Sequence, residues 1–154
     1  MSGNDSYTVA LLHCDGSNGS TTFTDTSKSA HAFTAAGSAQ ISTAQSKFGG
    51  ASGNVNSTLD YISSADSTDW NLGGAGAGDY TIDFWIRFTG LAGSQYLIGA
   101  ENALETNGWL FYLATATNQL TLYQGGASSF VSWTPSVNTW YHSAVQRSGG
   151  TVTA

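Results

Sequence analysis

The chain has 154 residues, 40% of them apolar, enough for one domain with a packed core, so disorder throughout is not expected. Charged residues make up 9%, against about 25% in ordinary domains; Ser, Thr, Asn and Gly stand in their place and give the neutral, turn-rich surface found on many extracellular and virion β-proteins. The net charge of −6 comes from ten acids set against Lys28, Lys47, Arg87 and Arg147. Four scattered bases form no phosphate-tracking stripe and no anionic-lipid patch, which excludes nucleic acid as the main partner and argues against membrane docking. Cys14 is the single cysteine, so no intrachain disulfide can form. The apolar run Val9 to Leu12 is too short for a signal-peptide core or a membrane span. The expectation is a chain made and folded in the cytosol, or one whose signal lies outside this sequence.

Taken in chain order, the pattern is that of short strands punctuated by Gly, Asn, Asp and Ser, with no sustained helical period. Ser6 to His13 alternates loosely and reads as a first strand. Asp15-Gly16 and Asn18-Gly19 supply turn positions before Thr21 to Thr26. Between Ala30 and Asn56, short strands around Ile41 and Val55 flank a turn at Phe48-Gly49-Gly50, and Tyr61-Ile62 marks another strand. Trp70 to Leu72 and the run Gly73 to Gly78 read as a wide loop. Tyr80 to Phe88 is the clearest strand, with Ile82, Phe84, Ile86 and Phe88 on one face and Thr81, Asp83, Trp85 and Arg87 on the other. Tyr96 to Gly99 is a short strand. Gly108 to Ala114 and Gln119 to Gln124 form a hairpin through Ala116-Thr117-Asn118. Phe130 to Trp133, Trp140 to Arg147 and Thr151 to Thr153 complete the set, with Pro135 in a connection and a turn at Ser148-Gly149-Gly150. About ten strands at regular spacing predict one all-β sandwich domain over residues 1–154.

Several of these segments resemble the laminin-G-like, concanavalin-A-like lectin/glucanase superfamily, in the versions found in phage and marine-metagenome proteins. Leu11-Leu12-His13-Cys14-Asp15-Gly16 is similar to the family's opening "LLHFDG". Ile41 to Gly50, ending Lys47-Phe48-Gly49-Gly50, is similar to its "KFG-small-small" turn, and Tyr61-Ile62 to its "DYL" strand. Thr81-Ile82-Asp83-Phe84-Trp85-Ile86 resembles the central "TIEFWV", and Asn138 to Arg147 resembles "GTWYHVAVVR". The resemblance spans nearly the whole chain in the family's order and implies a concanavalin-A-like jelly roll of two antiparallel sheets. Family members continue after "GGTVT" with "LYVNG" and further strands. The resemblance therefore implies that the last strands are missing here, either cut short or supplied by another chain through β-addition.

The superfamily hosts lectins, adhesion modules, glucanases and plain structural domains, so function has to come from particular residues. Its glucanases align carboxylates along the strand that Thr81, Asp83 and Trp85 occupy here, and retaining enzymes need two about 5 Å apart. One carboxylate remains on that face, Asp83, which is expected to pair with Arg87 or nearby hydroxyls; the only glutamates, Glu101 and Glu105, lie beyond it. No enzymatic activity is expected. Neighbouring strand residues point apart, so Cys14 and His13 make no catalytic pair, and a small buried hydrophobe is the expected role for Cys14. Calcium is the one cofactor left open, with Asp15, Asn18 and Asp25, or Asp60, Asp66 and Asp69, as candidate oxygen ligands for an ion that takes roughly six to eight. His142 reads as structural, and Trp85 and Trp140 as core or half-core. For ligand binding the candidates are Trp109, Tyr112, Tyr123 and Trp133, whose rings could stack on sugar faces while Asn118 and Gln124 read hydroxyls; packing between sheets is the alternative for each.

The resulting expectation is a non-catalytic virion module (a phage capsid-decoration, tail or fibre component) that binds glycans or cell surfaces by multivalent display. Its partners would be other virion proteins, further copies of itself, or host-surface glycan. The alternatives are an architectural protein cementing virion subunits and a bacterial extracellular carbohydrate-binding module cut from a longer chain.

Overall fold

Alternating apolar residues at a two-residue period put one side of each strand on a core and the other in water, and that parity decides which side chains are available for function. The computed structural model describes residues 5–72, 78–100, 108–124 and 126–154. These residues form twelve strands that pair antiparallel throughout and one 3-10 turn, Thr68–Trp70. Among them no helix is long and apolar enough to cross a membrane. The chain divides into two compact units, residues 1–66 and 67–154.

The first unit holds β1 (Thr22–Thr24), β2 (Ala32–Ala36), β3 (Gln40–Ser42), β4 (Ser52–Asn54) and β5 (Tyr61–Ser64). They form a three-stranded sheet in the order β1-β2-β5 and a β3-β4 pair. Phe23, Ile41 and Ala51 make its buried core, with Leu12, Cys14, Phe33, Ala35 and Ile62 packed around them. The predicted strand from Ser6 to His13 does not form. A single bridge joins Leu12 to Asp25, and the Asp25 carboxylate takes the place of further backbone partners by accepting the Leu11 N–H at 2.9 Å. Gly37, with φ of +64°, lets the chain turn against residues 59 and 60; a Cβ there would stand 2.6 Å from the Leu59 carbonyl oxygen.

The second unit contains β6 (Tyr80–Arg87), β7 (Gln95–Ala100), β8 (Trp109–Ala114), β9 (Gln119–Gln124), β10 (Ala127–Ser132), β11 (Trp140–Ser148) and β12 (Thr151–Thr153). Its sheets run β10-β9-β8-β7 and β12-β11-β6. The two face each other across one core: Phe111, Leu113, Leu120, Leu122, Val145, Phe88 and Trp109 are buried, and Ile82, Phe84 and Ile86 pack against them. The Phe84 and Phe111 rings meet edge to face at 6.0 Å. Three long polar side chains at the rim of this core find partners, whereas the buried Ser143 hydroxyl makes no hydrogen bond among the described residues. Tyr80 donates its hydroxyl to Gln124 Oε1 at 3.0 Å, Gln124 Nε2 donates to the Leu72 carbonyl, and Trp109 Nε1 donates to the Trp70 carbonyl at 2.7 Å. Trp70 itself belongs to the 3-10 turn, where a loop was predicted; residues 73–77 of that loop, like Glu101 and Glu105, lie outside the described residues.

Candidate functional site

Strand parity exposes two faces in the second unit. The first is the outer face of the three-stranded sheet. Because Ile82, Phe84 and Ile86 face the core, Thr81, Asp83 and Trp85 face outward. The β6–β11 register sets His142 beside Trp85, Ala144 beside Asp83 and Gln146 beside Thr81, and Thr153 of β12 lies beside Gln146. Trp85 is 40% exposed, contrary to the expected core or half-core position. One side of its ring stacks on His142, with centroids 5.3 Å apart and planes at 27°. His142 in turn meets Asp83, Nε2 to Oδ2 at 3.1 Å. The expected partners of Asp83, Arg87 or hydroxyls, are replaced by a histidine on the neighbouring strand. Next to this trio, the small side chain of Ala144 leaves a shallow depression of about 210 Å³ lined by Ala144, Gln146, Thr153 and Ala154.

Chemically, this face offers a flat apolar ring, a carboxylate acceptor, an imidazole, an amide that both donates and accepts, and two threonine hydroxyls. That combination suits a ring-shaped polyol, whose C–H face is apolar and whose rim is hydroxylated. Glycoside hydrolysis asks for two carboxylates, whereas the outward residues of β6 and β11 include one, Asp83.

The second face is the outside of the four-stranded sheet. In β8, Trp109, Phe111 and Leu113 point into the core, which leaves Leu110 and Tyr112 outward. Register then places Tyr96, Tyr112, Thr121 and Phe130 in one row across the four strands. Tyr123, 41% exposed, sits diagonally to Tyr112, and the Tyr96 and Tyr112 rings lie 5.8 Å apart. Gly99 keeps this surface flat at Leu110, whose Cδ1 would lie 2.9 Å from a Cβ at that position. Of the four ligand-binding candidates, the structure brings Tyr112 and Tyr123 together here. Trp109 is 4% exposed and buried in the core, with no ring face open to a ligand. Trp133 packs between Phe88, at 5.8 Å, and Tyr141, at 5.1 Å edge to face. Tyr96, Phe130, Trp85 and His142 were not among the candidates.

No family model, curated protein or solved structure matches the chain.

Three of the candidate calcium ligands serve the backbone in this structure. Asp25 Oδ1 accepts the N–H groups of Leu11 and Ser27, and Oδ2 accepts the Ser27 hydroxyl and the His31 N–H. Asp60 likewise accepts the N–H groups of Ser38 and Asn56, and Asn18 Oδ1 accepts that of Thr43. Each of these three side chains thus holds a turn or a strand end in place through backbone N–H groups. Among the described residues no three His, Cys, Asp or Glu side chains converge as metal ligands.

Cys14 has φ of 53° and packs on the first unit's core, with its sulfur 3.4 Å from where a Cβ on Gly53 would stand. Burial pushes its thiol up from the usual value, and the nearby Asp15 charge adds to this against an opposing Gly53 N–H. Attack by the thiolate should accordingly be suppressed in the folded chain. At pH 8 the reaction with a chromogenic aromatic disulfide should be at least about tenfold slower than in denaturant. Equal rates would show that Cys14 is not held in this way.

Proposed function

We propose that this chain is a non-catalytic adhesion module of the laminin-G-like jelly-roll kind, and that it binds glycans on the outer face of β6, β11 and β12. The observation that carries this reading is the exposed Trp85 ring, backed by His142 and flanked by Asp83, beside the depression over Ala144. A tryptophan that is not needed to fill the core leaves apolar surface in water, and ring stacking with a ligand is a use for it. The site is open and shallow, so each contact is weak, and useful affinity would come from displaying many copies. A phage capsid-decoration, tail or fibre protein provides such display; this setting is proposed from the sequence motifs and the low charge content.

The test is binding of a multivalent, tag-clustered form of the chain to an array of immobilised oligosaccharides. Wild type should bind a defined subset. Trp85→Ala should weaken that binding at least about tenfold, as expected when the central aromatic of a small site is truncated. Because Trp85 lies outside the core, its melting temperature should stay within a few degrees of wild type, about 0.5 kcal/mol or less in stability. Tyr112→Ala, on the other sheet, should bind as wild type. Binding that ignores Trp85→Ala, or no binding to any glycan, would contradict the proposal.

A further inference from the structure

The strands of the four-stranded sheet carry no formal charge. No Asp, Glu, Lys or Arg occurs between Arg87 and Glu101 or between Glu105 and Arg147, and β7, β8, β9 and β10 all fall within those stretches. The net charge of −6 is carried elsewhere. Two copies that pair through this sheet bring none of its own strands' residues into charge–charge contact and desolvate no charge on them.

The two edges of that sheet differ. At β7 the register shifts between Tyr96 and Ile98, and a bulge of this kind twists an edge away from further pairing. At β10 the ladder to β9 runs without a shift from Ala127 to Ser132. All six β10 residues are exposed, including Phe130 at 61%. The strand reads Ala-Ser-Ser-Phe-Val-Ser, with no proline, lysine or other charge to guard it. Its outer side pairs with no strand among the described residues. Natural edge strands commonly carry one of these guards, and β10 carries none.

We propose that β10 is a self-association edge: two copies of the chain pair β10 to β10 in antiparallel fashion across a twofold axis, joining their four-stranded sheets into one. The geometry constrains the register. For the outer faces of both sheets to remain continuous, each residue must face one of its own parity. Centring the axis on Phe130 sets the two phenylalanine rings opposite each other, Ser128 opposite Ser132, and Ser129 opposite Val131. The aromatic row Tyr96, Tyr112, Thr121, Phe130 then continues into its mate. Such pairing is isologous, uses up the free β10 edge of both copies and stops at a dimer, whereas β10-to-β7 pairing would be open-ended and meets the bulge. One strand pair buries little area, so association is weak, with a dissociation constant of roughly 10 µM to 1 mM. For a displayed module, high local concentration would compensate.

Sedimentation equilibrium of the whole chain from about 10 µM to about 1 mM reads this directly. The weight-average mass should climb from 16.0 kDa toward the dimer and no further. Added salt should strengthen the association or leave it unchanged, since only the long-range repulsion of like-charged copies is screened. Phe130→Lys and Val131→Lys should each weaken it at least about tenfold while keeping the wild-type melting temperature, because both side chains are exposed in the monomer. A wild-type chain that stays at 16.0 kDa throughout, a mass that passes the dimer, or association indifferent to both lysines would overturn the proposal.

Discussion

Replacing Phe111 with alanine should destabilise the second unit by about 3–5 kcal/mol, the largest effect of any single change considered. Phe111 is fully buried at the middle of β8. Its ring meets Phe84 edge to face across the two sheets, so truncation removes the transfer energy of the ring, the ring–ring contact and the packing around the void. A domain of this size holds about 5–15 kcal/mol in total, and the melting temperature should fall by more than about 10 °C. Hydrogen exchange in β8 and β9 should rise with it. Tyr96→Ala on the outward side of the same sheet is the contrast, with a change within about 0.5 kcal/mol. A Phe111→Ala loss under about 1 kcal/mol would mean the two sheets do not pack around this ring.

Asp25→Ala should cost the first unit about 2–4 kcal/mol. The side chain is 7% exposed, and its two oxygens accept four hydrogens, those of the Leu11, Ser27 and His31 N–H groups and the Ser27 hydroxyl, at 2.8 to 2.9 Å. Removal leaves these donors without their acceptor, and unsatisfied buried donors cost more than the bonds themselves contribute. The pH dependence follows from the same contacts. Burial alone would raise the Asp25 pKa, but the Ser27 and Leu11 N–H groups, the Ser27 hydroxyl and the His31 N–H outweigh it and hold the group below its ordinary 3.8. A carboxylate whose folded pKa is depressed contributes stability that is fully present above the unfolded value and lost as pH falls through the folded one. Urea midpoints should therefore drop between pH 5 and pH 3 by more in wild type than in Asp25→Ala, where this share of the acid sensitivity is already gone (order-of-magnitude window, about 2 pH units). Equal drops would show that the Asp25 cluster does not carry it.

Strand identity was legible wherever apolar alternation was strong. Tyr80 to Phe88 could be read with the correct core face from Ile82, Phe84 and Ile86, and the hairpin of β8 and β9 from Trp109 to Gln124 with its turn near Asn118, whose φ is 53°. Strand β10 was legible only at its end: Ala127, Ser128 and Ser129 are all small and none is strongly apolar, so no period marks them, and only pairing with β9 makes them a strand. The segment Ser6 to His13 misled for the opposite reason, since its alternation is not matched by a partner strand and a carboxylate satisfies part of its backbone.

The candidate site was less legible than the fold because it is made by register. Asp83 and His142 are 59 positions apart, and nothing local in the sequence says that β6 and β11 set Trp85 and His142 side by side. Family-style motifs drew Trp85 toward the core, although its parity with Thr81 and Asp83 already pointed outward. Trp109 shows the converse. Its residue type suits ligand stacking, but its parity with Phe111 and Leu113 buries it.

The most direct measurement of the central claim is a 1H–15N spectrum of the indole N–H groups, recorded while the best oligosaccharide from the array is added. The five tryptophans sit in distinct surroundings, with Trp85 on the proposed site, Trp109 in the core and Trp133 between Phe88 and Tyr141. Saturable movement of the Trp85 signal together with the His142 ring, while the Trp109 and Trp133 signals stay in place, is the result predicted. Movement confined to tyrosines of the other sheet, or a Trp85 signal that never shifts at saturating sugar, would contradict it.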